Sequence, residues 1–130
     1  MSNKTTTSVM ACIADRPDCN RIMKAAAGIA AKEGLPLTAL TVLPSGHMSG
    51  YATERLQVLY NITERYSAEL LVLFSDSPAL TVAVTAQQKN VAHLVVGTPQ
   101  SGLFIETVKA LLPEVPMTVI PDDKQKIMVV

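Results

Sequence analysis

The stretch His93-Leu94-Val95-Val96-Gly97 is short, apolar and rich in β-branched residues, and Thr98-Pro99-Gln100-Ser101-Gly102 follows it directly. Such a run bounded by turn residues reads as a buried strand. Beyond it, Ile105, Val108 and Leu112 fall on one helical stripe before Pro113 breaks it, so the turn leads into a helix. The same alternation runs through the chain. Val9 to Ala14, Thr38 to Leu43, Leu70 to Phe74 and Met117 to Ile120 are runs of the same kind, several of them apolar on both faces, as strands covered by helices on both sides must be. Strands alternating with helix-period segments predict an α/β domain whose parallel sheet is wrapped by crossover helices.

The intervening segments support this. Ile22, Ala26, Ile29 and Ala30 make one helical stripe that Gly34 can end in a left-handed cap, and Leu35-Pro36 restarts extended chain. A second helix is expected to turn Leu56, Leu59, Tyr60 and Thr63 inward, with Glu54 near its positive end. A third begins at Ser77-Pro78, faces the sheet with Leu80, Ala83, Val84 and Gln87, and stops at Asn90. Pro44 to Gly50 is too glycine-rich to be regular. Residues 1–121 therefore read as one domain. Residues 122–130 read as a tail whose apolar end, Ile127 to Val130, needs cover, either beside Met117 to Ile120 or at the same edge of a second copy.

Composition narrows the function. The 130 residues carry 11 basic and 11 acidic side chains, and no Lys/Arg cluster is interleaved with aromatics, which argues against nucleic acid as a partner. No apolar run is long enough to span a membrane and Met1 to Ser8 is polar, so a cytoplasmic protein is expected. Cys12 and Cys19 have no second pair and no histidine at ligand spacing, so neither a disulfide framework nor a metal site is indicated. Cys12 reads as a core thiol. His47 and His93 lack a visible carboxylate or serine partner for acid-base work.

In open parallel sheets, ligands sit beyond the carboxyl ends of the strands where the strand order reverses. The loops to inspect are Asp15 to Asp18, Pro44 to Gly50, Ser75 to Ser77 and Thr98 to Gly102. The last offers free N–H groups, with Thr98 and Ser101 hydroxyls, to an anion at a helix's positive end; alternatively Gly97 only relieves crowding and Ser101 only caps the helix. Asp15 has the same two readings, ligand contact or turn former, and Asp18 competes for the capping role. The loop lacks the signatures of a P-loop and of a dinucleotide fingerprint.

The order of elements, with the run Ala86 to Thr98, the segment Pro116 to Pro121 and the segment Leu37 to Val42, resembles the universal stress protein family across nearly the whole chain. The resemblance implies a three-layer fold, an open five-stranded parallel sheet ordered 3-2-1-4-5 with helices on both faces. It also implies pairing of subunits through the last strand, hence a homodimer. ATP-binding members carry Gly-x2-Gly-x9-Gly-Ser/Thr after the fourth strand. Started at Gly97, that pattern puts Gln100, Ala110 and Leu111 at its later positions, so only the first matches. Asp15 and Val42 fall where the family has its acidic ligand residue and its adenine-contacting position. A closer likeness is to the universal-stress-like domain of bacterial potassium-sensing histidine kinases, some of which bind a cyclic dinucleotide. Where those carry Ser-x-Ser and Phe-Thr-Ala-x-Tyr, this chain has Ala14-Asp15-Arg16 and Leu37-Thr38-Ala39-Leu40-Thr41, keeping only Thr38 and Ala39.

These readings lead to a sensing or regulatory module and not an enzyme, since no nucleophile-base pair is visible. The expected ligand is a small anion, an adenine nucleotide or a cyclic dinucleotide, and no cofactor is assigned. Its candidate contacts are Ala14, Asp15, Arg16, Val42, Gly97, Thr98, Gln100, Ser101 and Gly102. From another class, the alternative is a ligand-free interaction module.

Overall fold

The computed structural model describes residues 7–14, 18–45, 50–98 and 102–121. Strands and helices alternate as β1 (Ser8–Cys12), α1 (Cys19–Glu33), β2 (Leu37–Leu43), α2 (Gly50–Arg65), β3 (Glu69–Phe74), α3 (Pro78–Gln88), β4 (Val91–Gly97), α4 (Gly102–Leu111) and β5 (Met117–Ile120). The strands pair in parallel, as the alternation of elements predicts, and in the order β3-β2-β1-β4-β5 that the family resemblance implies. Strand ends differ from expectation by one or two residues, mainly because β4 starts at Val91 and β1 stops at Cys12.

Side chains alternate across a strand, so each strand feeds two cores. Val9, Ala11 and Ile13 point to one face, where Ile22, Met23, Ala26 and Ala30 of α1 and Leu59 of α2 cover them. Met10 and its neighbours Leu40, Leu94 and Val96 point to the other, under Val82, Ala83 and Ala86 of α3 and Val108 of α4. The central strand β1 is buried on both faces, which explains why its sequence shows no polar alternation.

Gly34 ends α1 with φ 67°, its N–H reaching the carbonyls of Ala30 and Ala31, as the left-handed cap requires. Asn90 turns the chain into β4 at φ 54°. Ser77 and Pro78 open α3 as expected.

Two helix faces differ from expectation. On α2, Tyr60 is exposed while Leu59 and Thr63 are buried, and Glu54 lies beyond the first turn. On α3, the buried residues are Val82, Ala83, Thr85 and Ala86, whereas Leu80, Val84 and Gln87 face out. The reason is volume. Met10, Leu40 and Leu94 already fill the sheet surface beneath α3, which leaves room for alanines and one valine but not for Leu80.

Candidate functional site

The carboxyl ends of β1, β2 and β4 open into a cleft of about 340 Å³ at the switch point between β1 and β4. That size lies at the lower end of the roughly 300–1,000 Å³ of small-molecule sites. Its position follows from topology: β1 leads to a helix on one face of the sheet and β4 to a helix on the other, so the chain parts there. Cys12, Ile13, Ala14, Leu40, Val42 and Val96 come from the carboxyl-terminal halves of the strands and the residues after β1, while Ile22, Pro78, Val82 and Phe104 come from the amino-terminal halves of the helices. The polar groups among the described lining residues are Asp18, Thr98 and the Cys12 thiol.

Four of the sequence-derived candidates meet there: Ala14, Val42, Gly97 and Thr98. Gly102 is the first residue of α4. Asp15, Arg16, Gln100 and Ser101 lie outside the described residues, as does His47.

Asp18, which the sequence offered only as a cap, stands at the cleft as the backbone N-cap of α1 without a side-chain capping bond. A sequence reader assigns an Asp just before an amphipathic run to capping, so the signal was present but already explained. Phe104 and Pro78 were invisible for a different reason: their place depends on where the α3 and α4 starts meet.

Gly97 has a packing reason to be glycine. A Cβ there would lie 2.7 Å from Ile22 Cδ1 and 2.9 Å from Asp18 Oδ2, so the N-terminus of α1 sits against bare backbone. Thr98 is held as well, its hydroxyl donating to the Ile120 carbonyl at 3.1 Å and joining the ends of β4 and β5. Arg21 donates to the carbonyl of Pro121, fastening α1 to the same corner. Beyond the ends of β2 and β3, the Ser45 N–H donates to Asp76 at 3.0 Å, and the Thr81 hydroxyl donates to Ser75 at 2.7 Å.

The Cys12 thiol is pushed up by burial from an ordinary value near 9 to about 12, which keeps it a neutral thiol and not a nucleophilic thiolate. His93 Nε2 lies 2.7 Å from the Thr118 hydroxyl, a bond between β4 and β5 away from the cleft. Among the described residues no cluster of three metal-ligating side chains occurs, and no helix is long and apolar enough to cross a membrane.

The fixed-spacing reading of the phosphate motif fails on the geometry. Because α4 begins at Gly102, Ala110 and Leu111 sit in its last turn, about 12 Å along the helix from its start. Neither can crowd or cradle a phosphate at the end of β4. The two residues shared with the kinase-type domain are also accounted for, since Thr38 and Ala39 are buried within β2.

No protein-family model and no curated protein matches the sequence. Solved structures do. A universal stress protein from Archaeoglobus fulgidus in complex with dAMP superposes with TM-score 0.64 at 19% identity, over 91% of this chain and 98% of its own. A universal stress protein family member from Arabidopsis thaliana with AMP bound gives 0.66 at 16%, over 92% and 94%. A universal stress protein in complex with cAMP gives 0.63 at 16%, over 92% and 98%. The α/β architecture, the strand order and these superpositions together establish that the chain has the universal stress protein fold.

Proposed function

We propose that this chain is a ligand-sensing or regulatory module that holds an adenine nucleotide, by its nucleoside end, in the cleft between β1 and β4 and does not turn it over. The observation that carries the reading is the make-up of the cleft. Ile13, Leu40, Val42, Val96 and Phe104 offer apolar walls to a heteroaromatic base, and Asp18 brings a carboxylate suited to a ribose hydroxyl or an exocyclic amine. No Lys or Arg occurs among the described lining residues, so phosphates gain little there. The dAMP, AMP and cAMP complexes of proteins with this fold support the ligand class. A cyclic dinucleotide has less support, because Thr38 and Ala39 serve the core.

Among the described residues, the thiol held neutral at Cys12 and the imidazole engaged with Thr118 support a reading without turnover. Pairing of copies through residues 122–130 falls outside the described residues. The half-exposed β5, with Val119 facing out, is the edge such a strand would extend.

Mass spectrometry of the small molecules released when the purified protein is denatured, with calorimetry using AMP and adenosine, tests the assignment. An adenine compound released in stoichiometric amount, or micromolar binding lost in Asp18→Ala, is the expected result. No released molecule and no binding of either compound would instead favour the ligand-free interaction module. The uncharged outer face of α3 is the observation on that side.

A further inference from the structure

Among the described strands β5 is the shortest, and it pairs with β4 alone, so its outer edge is open. A short strand held on one side belongs to the low end of local stability. The register that carries the Leu94 N–H to the Pro116 carbonyl turns the Thr118 and Ile120 amides toward β4. Beyond that ladder, side chains fasten the strand end. Thr98 donates its hydroxyl to the Ile120 carbonyl at 3.1 Å, and Arg21 donates to the Pro121 carbonyl.

Both donors belong to the framework of the cleft. Thr98 lines it, and Arg21 lies in the first turn of α1 between Asp18 and Ile22, which line it too. That turn is closed by the Ile22 N–H donating to the Asp18 carbonyl at 3.1 Å. It rests directly on β4, because Gly97 has no Cβ to hold Ile22 and Asp18 away from its backbone. The side chains of Ile22 and Ile120 join the same core. The first turn of α1, the end of β4 and the end of β5 are therefore packed without slack, and detaching β5 from Thr98 and Arg21 loosens the turn that carries Asp18.

We propose that this corner couples the cleft to the carboxyl end of β5. It has two arrangements: closed, with both bonds made and Asp18 held at the cleft, and open, with the end of β5 detached and the turn loosened. A ligand that engages Asp18 binds the closed arrangement better and so holds β5 down. By linkage, anything that draws the end of β5 away weakens the ligand by the same factor. Occupancy of the cleft is thus read out at Ile120 and Pro121. The inference rests on the adenine-nucleotide reading for the identity of the ligand, whereas the link between turn and strand stands apart from it. Because the closed arrangement dominates, losing one bond changes how often the strand end opens far more than it changes AMP affinity.

Amide hydrogen exchange of the full chain, followed residue by residue by NMR, tests this in two arms. Without ligand, Thr98→Val alters only β4, yet it is expected to speed exchange roughly fivefold or more at the Ile22 amide of α1 as well as at Ile120. Arg21→Met should do the same at Thr118 and Ile120, while the amides of β3, at the far edge of the sheet, keep their wild-type rates. With saturating AMP, exchange in wild type should slow by a similar factor at Ile22, Thr118 and Ile120. In Arg21→Met, AMP should still slow Ile22 but slow Ile120 less. An Ile22 amide indifferent to Thr98→Val overturns the coupling whatever the ligand, and equal speeding throughout β3 overturns it as a general loss of stability. AMP that binds by calorimetry without slowing Ile120 overturns it too. AMP that fails to bind overturns the nucleotide reading instead, and the ligand-free arm then decides the coupling alone.

Discussion

Gly97 and Asp18 touch across the joint between β4 and α1: a Cβ on Gly97 would stand 2.9 Å from the Asp18 carboxylate oxygen. The same Cβ would press on Ile22 at 2.7 Å, and Ile22 is buried in the core beneath α1. The carboxylate can swing aside, but Ile22 has little room to do so. Gly97→Ala is therefore expected to lose about 1–3 kcal/mol of stability, the usual cost of overpacking. It should also shift AMP affinity, because the moved carboxylate lines the cleft. Urea unfolding checks the first part, and an unchanged midpoint would show that the joint relaxes freely.

Thr98 separates a structural role from a ligand role. Its hydroxyl proton goes to the Ile120 carbonyl, so Thr98→Val removes the donor, leaves a partly buried carbonyl unmet, and keeps the volume. The expected loss is about 1 kcal/mol in stability. AMP affinity should change by less than about threefold, which is under 1 kcal/mol. A variant of wild-type stability that binds AMP much more weakly would reverse this assignment and make Thr98 a direct ligand contact.

The Cys12 thiol gives a pH dependence with a definite sign. Burial raises its folded value to about 12, while in the unfolded chain it titrates near 9. Between those values the unfolded state releases a proton that the folded state keeps, so this group lowers stability as pH rises, by at most about 1.4 kcal/mol per pH unit. More than about one pH unit below 9 its slope becomes negligible. Chemical denaturation of wild type and Cys12→Ala between pH 8 and 10.5 should show a shallower decline in the variant. Parallel curves would mean that the thiol ionises in the folded protein, and rapid alkylation at pH 8 would say the same.

The sheet was legible because strands with both faces buried leave continuous apolar runs, and the sequence from His93 to Gly97 shows one without interruption. Helix caps were legible at Gly34 and Ser77-Pro78, where local backbone chemistry decides the outcome. The inward face of α3 was not. Ala83 turns inward as expected, but Leu80 and Val84 compete with Val82 and Ala86 for the rest of that face, and only the bulk of Met10 and Leu40 on the sheet settles it. The site divides the same way. Gly97 and Val42 could be named from strand ends, whereas Phe104 and Pro78 reach the cleft through packing between helices remote in sequence. The phosphate motif misled because fixed spacing assumes a longer link than the one between Gly97 and Gly102.

The last prediction concerns phosphates. The described residues lining the cleft include no Lys or Arg to meet a triphosphate. Asp18 adds a carboxylate at the same mouth, so each further phosphate increases repulsion without adding a cation. AMP and adenosine are therefore expected to bind at least as tightly as ATP, and ATP hydrolysis to stay at background, since nothing described is placed to activate water. Asp18→Asn sharpens the test because its two consequences oppose each other. Removing the charge should improve ATP binding several-fold, and weakening the acceptor for a ribose hydroxyl or amine should impair adenosine binding by a similar factor. Calorimetry with both ligands on both proteins reads this crossover directly. Submicromolar ATP binding in wild type, or Asp18→Asn moving both affinities the same way, would show that the phosphates are held by groups other than those lining the described cleft. ATP turnover that follows the protein through purification and vanishes in Asp15→Ala would overturn the non-catalytic reading itself.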